Sequence, residues 1–393
     1  MTATGAVIAG GYVNALGMVR SLAARRVPVS VVTTKPFDIA HRSRFAADWD
    51  SAPEVEHHAG QLVEVLERRA PEWRDRVVFP TNDATMAALA GAHEALSGSY
   101  TLAVPSADVA AAFVDKRLMR EAAVRAGLDL PCHYGPATRE VAELEIEFPV
   151  VVKPVRTFPF ASVFGAKLFV ASNRKDLLRC VERLERAALE ADVYELVPGE
   201  DECVYAHCTY VDGNGEPVSG LTVHKLRQGP PLYGDARVAE VVPDPPGVRE
   251  ATVELVRGMG HRGIASAEFK RDPRDGSFKF IEVNGRSFVY NGLVRRAGLD
   301  LTAVAWADYT QQALALPEPQ GWRGAWIHLH PDLLHSVASR RAAPLTWADF
   351  SAPYRGRWIE PVWSVRDPLP FAAQWAQRPR RGATNGSVAT TPP

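Results

Sequence analysis

The sequence predicts an α/β domain built on a parallel sheet, followed by a larger α+β region. Over the first hundred residues, short apolar runs alternate with amphipathic stretches, the rhythm of strands joined by helical crossovers. Beyond about residue 110, paired strand-like runs flank turn sequences. From about residue 317 the chain becomes rich in Trp, Pro and Arg.

The elements follow in order. Ala6 to Ala9 reads as a buried strand, and Asn14 to Arg26 as a helix with Leu16, Val19, Leu22 and Ala23 on one face. Val29 to Thr33 is a strand, His57 to Arg69 a helix and Val77 to Phe79 a strand. Asp83 to Leu96 is a helix and Leu102 to Val104 a strand. Asp115 to Ala126 is a helix stopped by Gly127. Pro149 to Lys153 and Lys167 to Ala171 are strands, and Arg174 to Glu190 is a long helix. Tyr194 to Val197, Glu202 to Val211 and Val218 to Leu226 are β-rich, with a hairpin turn at Asp212 to Glu216. Gly263 to Arg271 and Phe278 to Asn284 form a second hairpin around Asp272 to Gly276. Ala325 to Leu329 and Arg357 to Trp363 are apolar enough to pack. Residues 378–393 lack an apolar pattern and are expected to be disordered.

A chain of 393 residues spans two to three domains at about 150 residues each. A hydrophobic fraction of 46% and a charged fraction of 23% fit a globular enzyme. A formal charge of −1 excludes a generally basic nucleic-acid binder. The 4 cysteines form no CxxC pair, so neither a zinc site nor a disulfide framework is expected, and a reducing cytoplasm is the simplest compartment. No signal peptide or membrane span is expected, because Gly10-Gly11 break the first apolar run.

The most informative segment runs from Glu268-Phe-Lys-Arg to Ile281-Glu282-Val-Asn284-Gly-Arg286. Glu282 and Asn284 share one face of a strand, and a hairpin brings Glu268 beside them if the register permits. Two carboxylates and an amide oxygen suit Mg²⁺; a solvated hairpin face is the plainer reading. Lys153 ends a run of valines, so it either meets an anion or snorkels to the surface. Asp115-Lys116 opens a helix, as many ordinary helices do. Glu195-Leu-Val197-Pro-Gly199-Glu-Asp201-Glu202 is a strand running into an acidic turn, able to offer backbone groups to an adenine edge. Gly10, Gly11 and Gly17 lack GxGxxG spacing, and no acid ends the second strand, which argues against nicotinamide binding.

Taken in order, Asp115-Lys116, Val151-Val-Lys153-Pro, Glu195-Leu-Val-Pro-Gly, Lys225-Leu-Arg227-Gln, Glu268-Phe-Lys and Ile281-Glu-Val-Asn-Gly-Arg286 resemble the ATP-grasp superfamily. The resemblance covers roughly residues 1–315. It is strongest to the carboxylate–amine ligase branch, which includes D-aspartate ligases and carbamoyl-phosphate synthetase-like enzymes; Asp367-Pro-Leu-Pro-Phe371 also resembles that branch. It implies an N-terminal pre-ATP-grasp domain over 1–110, a two-lobed ATP-grasp domain over 111–316, a packed C-terminal extension over 317–377 and a tail. It implies an enzyme that forms an amide through an acyl phosphate, with a kinase, a carboxylase or a silent nucleotide-binding module as alternatives.

The same resemblance implies residue roles. Lys116 and Lys153 would contact ATP phosphates, with Lys167 as a stand-in for lid contacts. Glu195 and Val197 would hold adenine, and Asp201 or Glu202 the ribose. Glu268, Glu282 and Asn284 would bind Mg²⁺, which Mn²⁺ can replace. Lys225, Arg227 and Arg286 would act on the γ-phosphate and the reacting carboxylate. Asn14, Asp83 and Ser287 would contact substrate; for Asn14 and Asp83 turn formation and helix capping explain the residues as well. The expected partners are a small carboxylate and an amine, with no nucleic acid or membrane, in a homodimer. One departure stands out: residues 156–164 are aromatic where many relatives carry a glycine-rich phosphate lid.

Overall fold

The computed structural model describes residues 4–53, 55–313, 321–339, 346–377 and 387–390. The strands Ala6–Ala9 and Val77–Pro80 are wholly apolar and buried on both faces, as a parallel sheet between helices requires. In order come β1 (Ala6–Ala9), α1 (Val13–Ala23), β2 (Val29–Thr33), β3 (Asp48–Ser51), α2 (Gly60–Trp73), β4 (Val77–Pro80), α3 (Asp83–Gly91), α4 (His93–Leu96), β5 (Thr101–Leu102) and α5 (Ala107–Val114). Every strand pair in this sheet is parallel, in the order β3-β2-β1-β4-β5. β3 carries no signal in the sequence, because Asp48-Trp-Asp-Ser51 is a half-exposed edge without an apolar run. The single helix expected over Asp83 to Leu96 divides at Ala92, whose backbone leaves helical geometry. Residue 110 lies inside α5, whose Ala110 and Phe113 pack into the core.

Next come α6 (Lys116–Arg125), β6 (His133–Pro136), α7 (Arg139–Glu143), β7 (Val150–Pro154), α8 (Thr157–Phe164), β8 (Ala166–Ala171), α9 (Arg174–Ala187) and β9 (Ala191–Glu195). The aromatic stretch is therefore a helix, α8, closed by Gly165 at φ +64°, where a left-handed residue ends the turn. Phe160 of α8 packs against Phe169, and with Val150, Leu177 and Val193 these residues form a core of their own.

The larger lobe follows: β10 (Val204–Val211), β11 (Pro217–Gly229), β12 (Asp235–Val242), α10 (Val248–Gly258), β13 (Gly263–Arg271), β14 (Phe278–Asn284), α11 (Asn291–Arg296) and α12 (Leu301–Tyr309). It ends with β15 (Ala325–Ile327), α13 (Leu329–Ser339), α14 (Trp347–Ser351), β16 (Trp358–Ile359) and α15 (Leu369–Ala376). A last strand, β17 (Ser387–Thr390), pairs in parallel with β8. This corrects the expectation of disorder over 378–393 at those four residues; the others lie outside the described residues. Among the described residues, β14-β13-β10-β11-β12-β15-β16 form one sheet and β17-β8-β7-β9-β6 another.

Two cores join the first sheet to the large lobe. Ile8, Leu16 and Val31 pack in one cluster with Cys208, Val223 and Trp326. Val7, Met86 and Phe113 share the other with Ala267, Phe269 and Val283. The C-terminal extension is tied down at Asp367, which is fully buried. Its carboxylate accepts from Arg20 Nε (2.9 Å), Ser43 Oγ (2.8 Å) and the Arg44 amide (2.9 Å). All four cysteines are free thiols. Among the described residues no helix is long and apolar enough to cross a membrane.

Candidate functional site

A cavity of about 310 Å³ lies between the β6–β9 lobe and the large sheet. The β13–β14 hairpin supplies its acidic wall. Its register sets Glu268 directly opposite Glu282 and Ser266 opposite Asn284, and Glu268, Glu282 and Asn284 all line the cavity. Two facing carboxylates in a recess repel each other unless cations intervene. Here Lys225 Nζ donates to Glu268 at 2.7 Å and Lys116 Nζ to Glu282 at 3.1 Å. Lys116 above all holds the Glu282 carboxyl well below the usual range, whereas burial pushes the Glu268 carboxyl up.

Lys116 reaches the site because Asp115 caps α6, accepting from the Arg117 amide (2.9 Å) and the Leu118 amide (3.3 Å). The capping role and the site role thus belong to neighbouring residues. Lys153 lines the cavity from β7, 5.8 Å from the Tyr194 ring centre, and forms no ion pair with any described residue. Burial lowers its pKa to about 8. Lys167, on β8, pairs with Asp235 at 3.2 Å.

The peptide at 195–197 also lines the cavity. The Glu195 amide is engaged by the Cys132 carbonyl (2.9 Å), and the Glu195 carboxylate binds the Cys132 amide and Arg274. Among the described residues, the backbone groups of Val197 make no hydrogen bond. Val197 is the residue of the pair with an edge to offer.

Arg286 enters from the end of β14. Its Nε donates to Asp83 at 2.6 Å and its Nη1 to the Ser287 carbonyl at 3.2 Å, leaving Nη2 without a partner among the described residues. Asp83 stands at the first turn of α3, so the N-terminal domain positions this arginine.

Several expected placements are corrected. Arg227 does not face the cavity. A register shift between Lys225 and Arg227 breaks the alternation of β11, so Arg227 pairs with Asp332 (2.9 and 3.2 Å) and stacks over Phe350. Asp201 is saturated by the Gln228 amide (2.7 Å), Gln228 Nε2 (3.1 Å) and the Leu232 amide (2.6 Å). Glu202 is exposed, and neither acid lines the cavity. Asn14 is buried, stitching Thr81 to Ser287 through its Nδ2. Ser287 is buried as well, accepting from Asn291. Both lie behind the cavity wall.

The sequence reading missed Lys270, Asp235 and Tyr290, which also line the cavity. Lys270 follows Glu268 by two residues on the same strand, a spacing that strand alternation could have flagged. Asp235 had no such signal, because β12 is too mixed in composition to read as a strand.

The donor set fits a hard divalent cation: two carboxylates and an amide oxygen on facing strands, with lysines balancing the charge. No third acid joins them, since no group of three or more His, Cys, Asp or Glu side chains suited to a metal exists among the described residues.

No family model matches the chain. It is 26% identical over 175 residues to a D-aspartate ligase from Enterococcus faecium, a match covering 42% of this chain and only 41% of that protein. A biotin carboxylase from Campylobacter jejuni, solved as a βγ-ATP complex, superimposes with a TM-score of 0.65 at 17% identity, covering 82% of this chain and 75% of that one. An L-amino acid ligase from Bacillus licheniformis gives a TM-score of 0.59 at 17% identity, covering 79% and 75%. The chain thus shares the fold of these solved structures, and its sequence is similar to the D-aspartate ligase over less than half of either chain.

Proposed function

We propose that the protein is an ATP-dependent ligase that joins a small carboxylate to an amine through an acyl phosphate. The observation that carries this reading is the pairing of Glu268 with Glu282, beside Asn284, in a cavity also lined by Lys116, Lys153, Lys225 and Arg286. Glu268, Glu282 and Asn284 would hold Mg²⁺, which when bound offsets the charge of phosphate oxygens. Lys116 and Lys153 would neutralise the phosphates, and the Val197 peptide would hold the adenine edge. Arg286, braced by Asp83, would present its free Nη2 to the substrate carboxylate and bring it to the γ-phosphorus. Positioning and charge are the main contributions a protein makes to phosphoryl transfer. The carboxylate oxygen bonds to the γ-phosphorus as the bond to the β-phosphate breaks and ADP leaves; the amine then attacks the acyl carbon, the C–N bond forms, and phosphate and a proton leave. The D-aspartate ligase and L-amino acid ligase relatives support C–N bond formation as the outcome.

The test is a phosphate-release screen of carboxylate and amine pairs with Mg-ATP, followed by mass analysis of the product. An amide with free phosphate is expected, whereas a stable phosphorylated product would indicate a kinase. Glu282→Gln should abolish turnover while circular dichroism stays unchanged. Near-normal turnover of that variant at saturating Mg-ATP would remove Glu282 from the metal site.

A further inference from the structure

The inner face of α15 is packed, and its outer face is apolar as well. Inward, Pro370 and Gln374 are buried, and Phe371 and Ala373 pack against the core that holds Ile8 and Trp326. Outward, Leu369, Ala372, Trp375 and Ala376 are exposed, at spacings that place them along one side of the helix. No residue of α15 is charged. A helix apolar all round is normally enclosed, so this outer face calls for a cover.

The turn before α15 extends the face. Val365 is 84% exposed and Leu369 61%, with Trp363 at 53% and Trp375 at 43%. Both tryptophans meet Phe371, with ring centres 5.2 and 5.8 Å away, so they belong to one patch. The turn cannot fold these side chains away. The Asp367 amide closes it on the Ser364 carbonyl at 3.0 Å, and the buried Asp367 carboxylate ties it to Arg20, Ser43 and Arg44. Val365 and Arg366 therefore stand out from the surface.

Charge decides what the cover is. Residues 361–381 contain 4 arginines (Arg366, Arg378, Arg380 and Arg381) and a single acid, Asp367, which is buried. The whole chain carries a charge of −1, so this positive stretch is local. Arg366 is exposed and forms no ion pair with any described residue. A second copy of the chain, seated on the same face, would set these like charges against each other. An anionic surface is attracted instead. The grading of the patch also matches a lipid surface. Its most exposed side chains are aliphatic, tryptophans stand beside them, and an arginine flanks them. At a bilayer, alkyl side chains enter the acyl boundary, Trp sits at headgroup level and Arg reaches the phosphates.

We propose that the face formed by Trp363, Val365, Leu369 and Trp375 docks the protein on an anionic lipid bilayer, lying on the surface without crossing it. The sequence expectation of no membrane partner rested on the lack of a spanning segment, and surface docking needs none. The proposal stands independently of the ligase reading.

The test is co-sedimentation of the full chain with vesicles of phosphatidylcholine, alone or mixed with an equal part of phosphatidylglycerol. Binding to the mixed vesicles should be about tenfold or more tighter than to the neutral ones, and should weaken as salt is raised. Val365→Glu together with Leu369→Glu should abolish binding while circular dichroism stays unchanged, because both side chains are exposed. Arg366→Glu should weaken binding without abolishing it. The comparison of the two vesicles needs only the wild-type chain, so it holds even if a variant fails to fold. No wild-type binding to the mixed vesicles, equal binding to both kinds, or undiminished binding by the double variant would each overturn the proposal. Light scattering that shows the double variant splitting a wild-type dimer would give the face to a second copy and overturn it too.

Discussion

Lys153 is where burial, charge and function meet most directly. A lysine ending a strand of valines is costly to enclose, and here its pKa falls to about 8. Lys153→Ala should weaken ATP binding roughly tenfold or more, since a charge-assisted phosphate contact contributes about 1.5–3 kcal/mol. The contact needs the protonated amine, so ATP affinity of the wild type should fall as pH rises through about 8, and Lys153→Arg should flatten that profile. Calorimetry across pH checks both; unchanged affinity in the alanine variant would favour a purely structural lysine. Asp38 makes the complementary case for stability. Burial pushes its carboxyl up to about 6, although the Thr34 and Lys35 amides bond to it at 2.7 and 3.0 Å. The folded chain therefore holds this proton to higher pH than the unfolded chain, and stability is lost as pH rises from the ordinary carboxylate range through about 6. Asp38→Asn should raise stability above pH 6 by up to roughly 3 kcal/mol, at about 1.4 kcal/mol per pKa unit, and the gain should vanish near pH 4. Urea unfolding at the two pH values measures it; an equal effect at both would contradict the burial argument.

Elements explain which site residues could be read from sequence. Glu282 and Asn284 were legible because a regular strand alternates its faces, and the hairpin register then set Glu268 opposite. The resemblance set Arg227 beside Lys225 at the γ-phosphate, and the structure turns it away, because a bulge is a backbone event with no side-chain signature. That correction makes a prediction. Asp332, Tyr354 and Arg227 form a buried knot between β11 and the C-terminal extension, with the Tyr354 hydroxyl 2.6 Å from Asp332. Removing one partner of a buried ion pair costs about 3–5 kcal/mol. Arg227→Met should therefore lower the thermal midpoint while leaving the affinity for ATP intact. Normal stability with lost turnover would return Arg227 to the reaction. Asp201 and Glu202 were misread for a related reason. An acidic cluster in a turn looks alike whether it meets a ligand or, as at Asp201, three donors from its own chain. α8 shows the opposite limit: Thr157-Phe-Pro-Phe carries no amphipathic period, and only packing of Phe160 on Phe169 makes it a helix.

At the scale of the whole molecule, the site exists only where separate units meet. The β6–β9 lobe brings Lys153, Lys167 and Val197, the large sheet brings the acids and Lys225, and the N-terminal domain braces Arg286 through Asp83. The parallel sheet was legible from its apolar runs. Packing of the C-terminal extension was expected from its apolar runs, but its anchor was not legible, because Asp367 holds it through Arg20, Ser43 and Arg44, contacts between residues more than 300 positions apart. The central claim is that this assembly activates a carboxylate before the amine attacks, and one measurement tests it most directly. With an acid and amine pair that supports turnover, ¹⁸O is placed in the substrate carboxyl and the released phosphate is analysed by mass. Transfer of one labelled oxygen to phosphate is predicted, because the bridging oxygen of an acyl phosphate comes from the acid and leaves with phosphorus. Unlabelled phosphate, with amide forming at the normal rate, would contradict the acyl-phosphate route and the role given to Arg286.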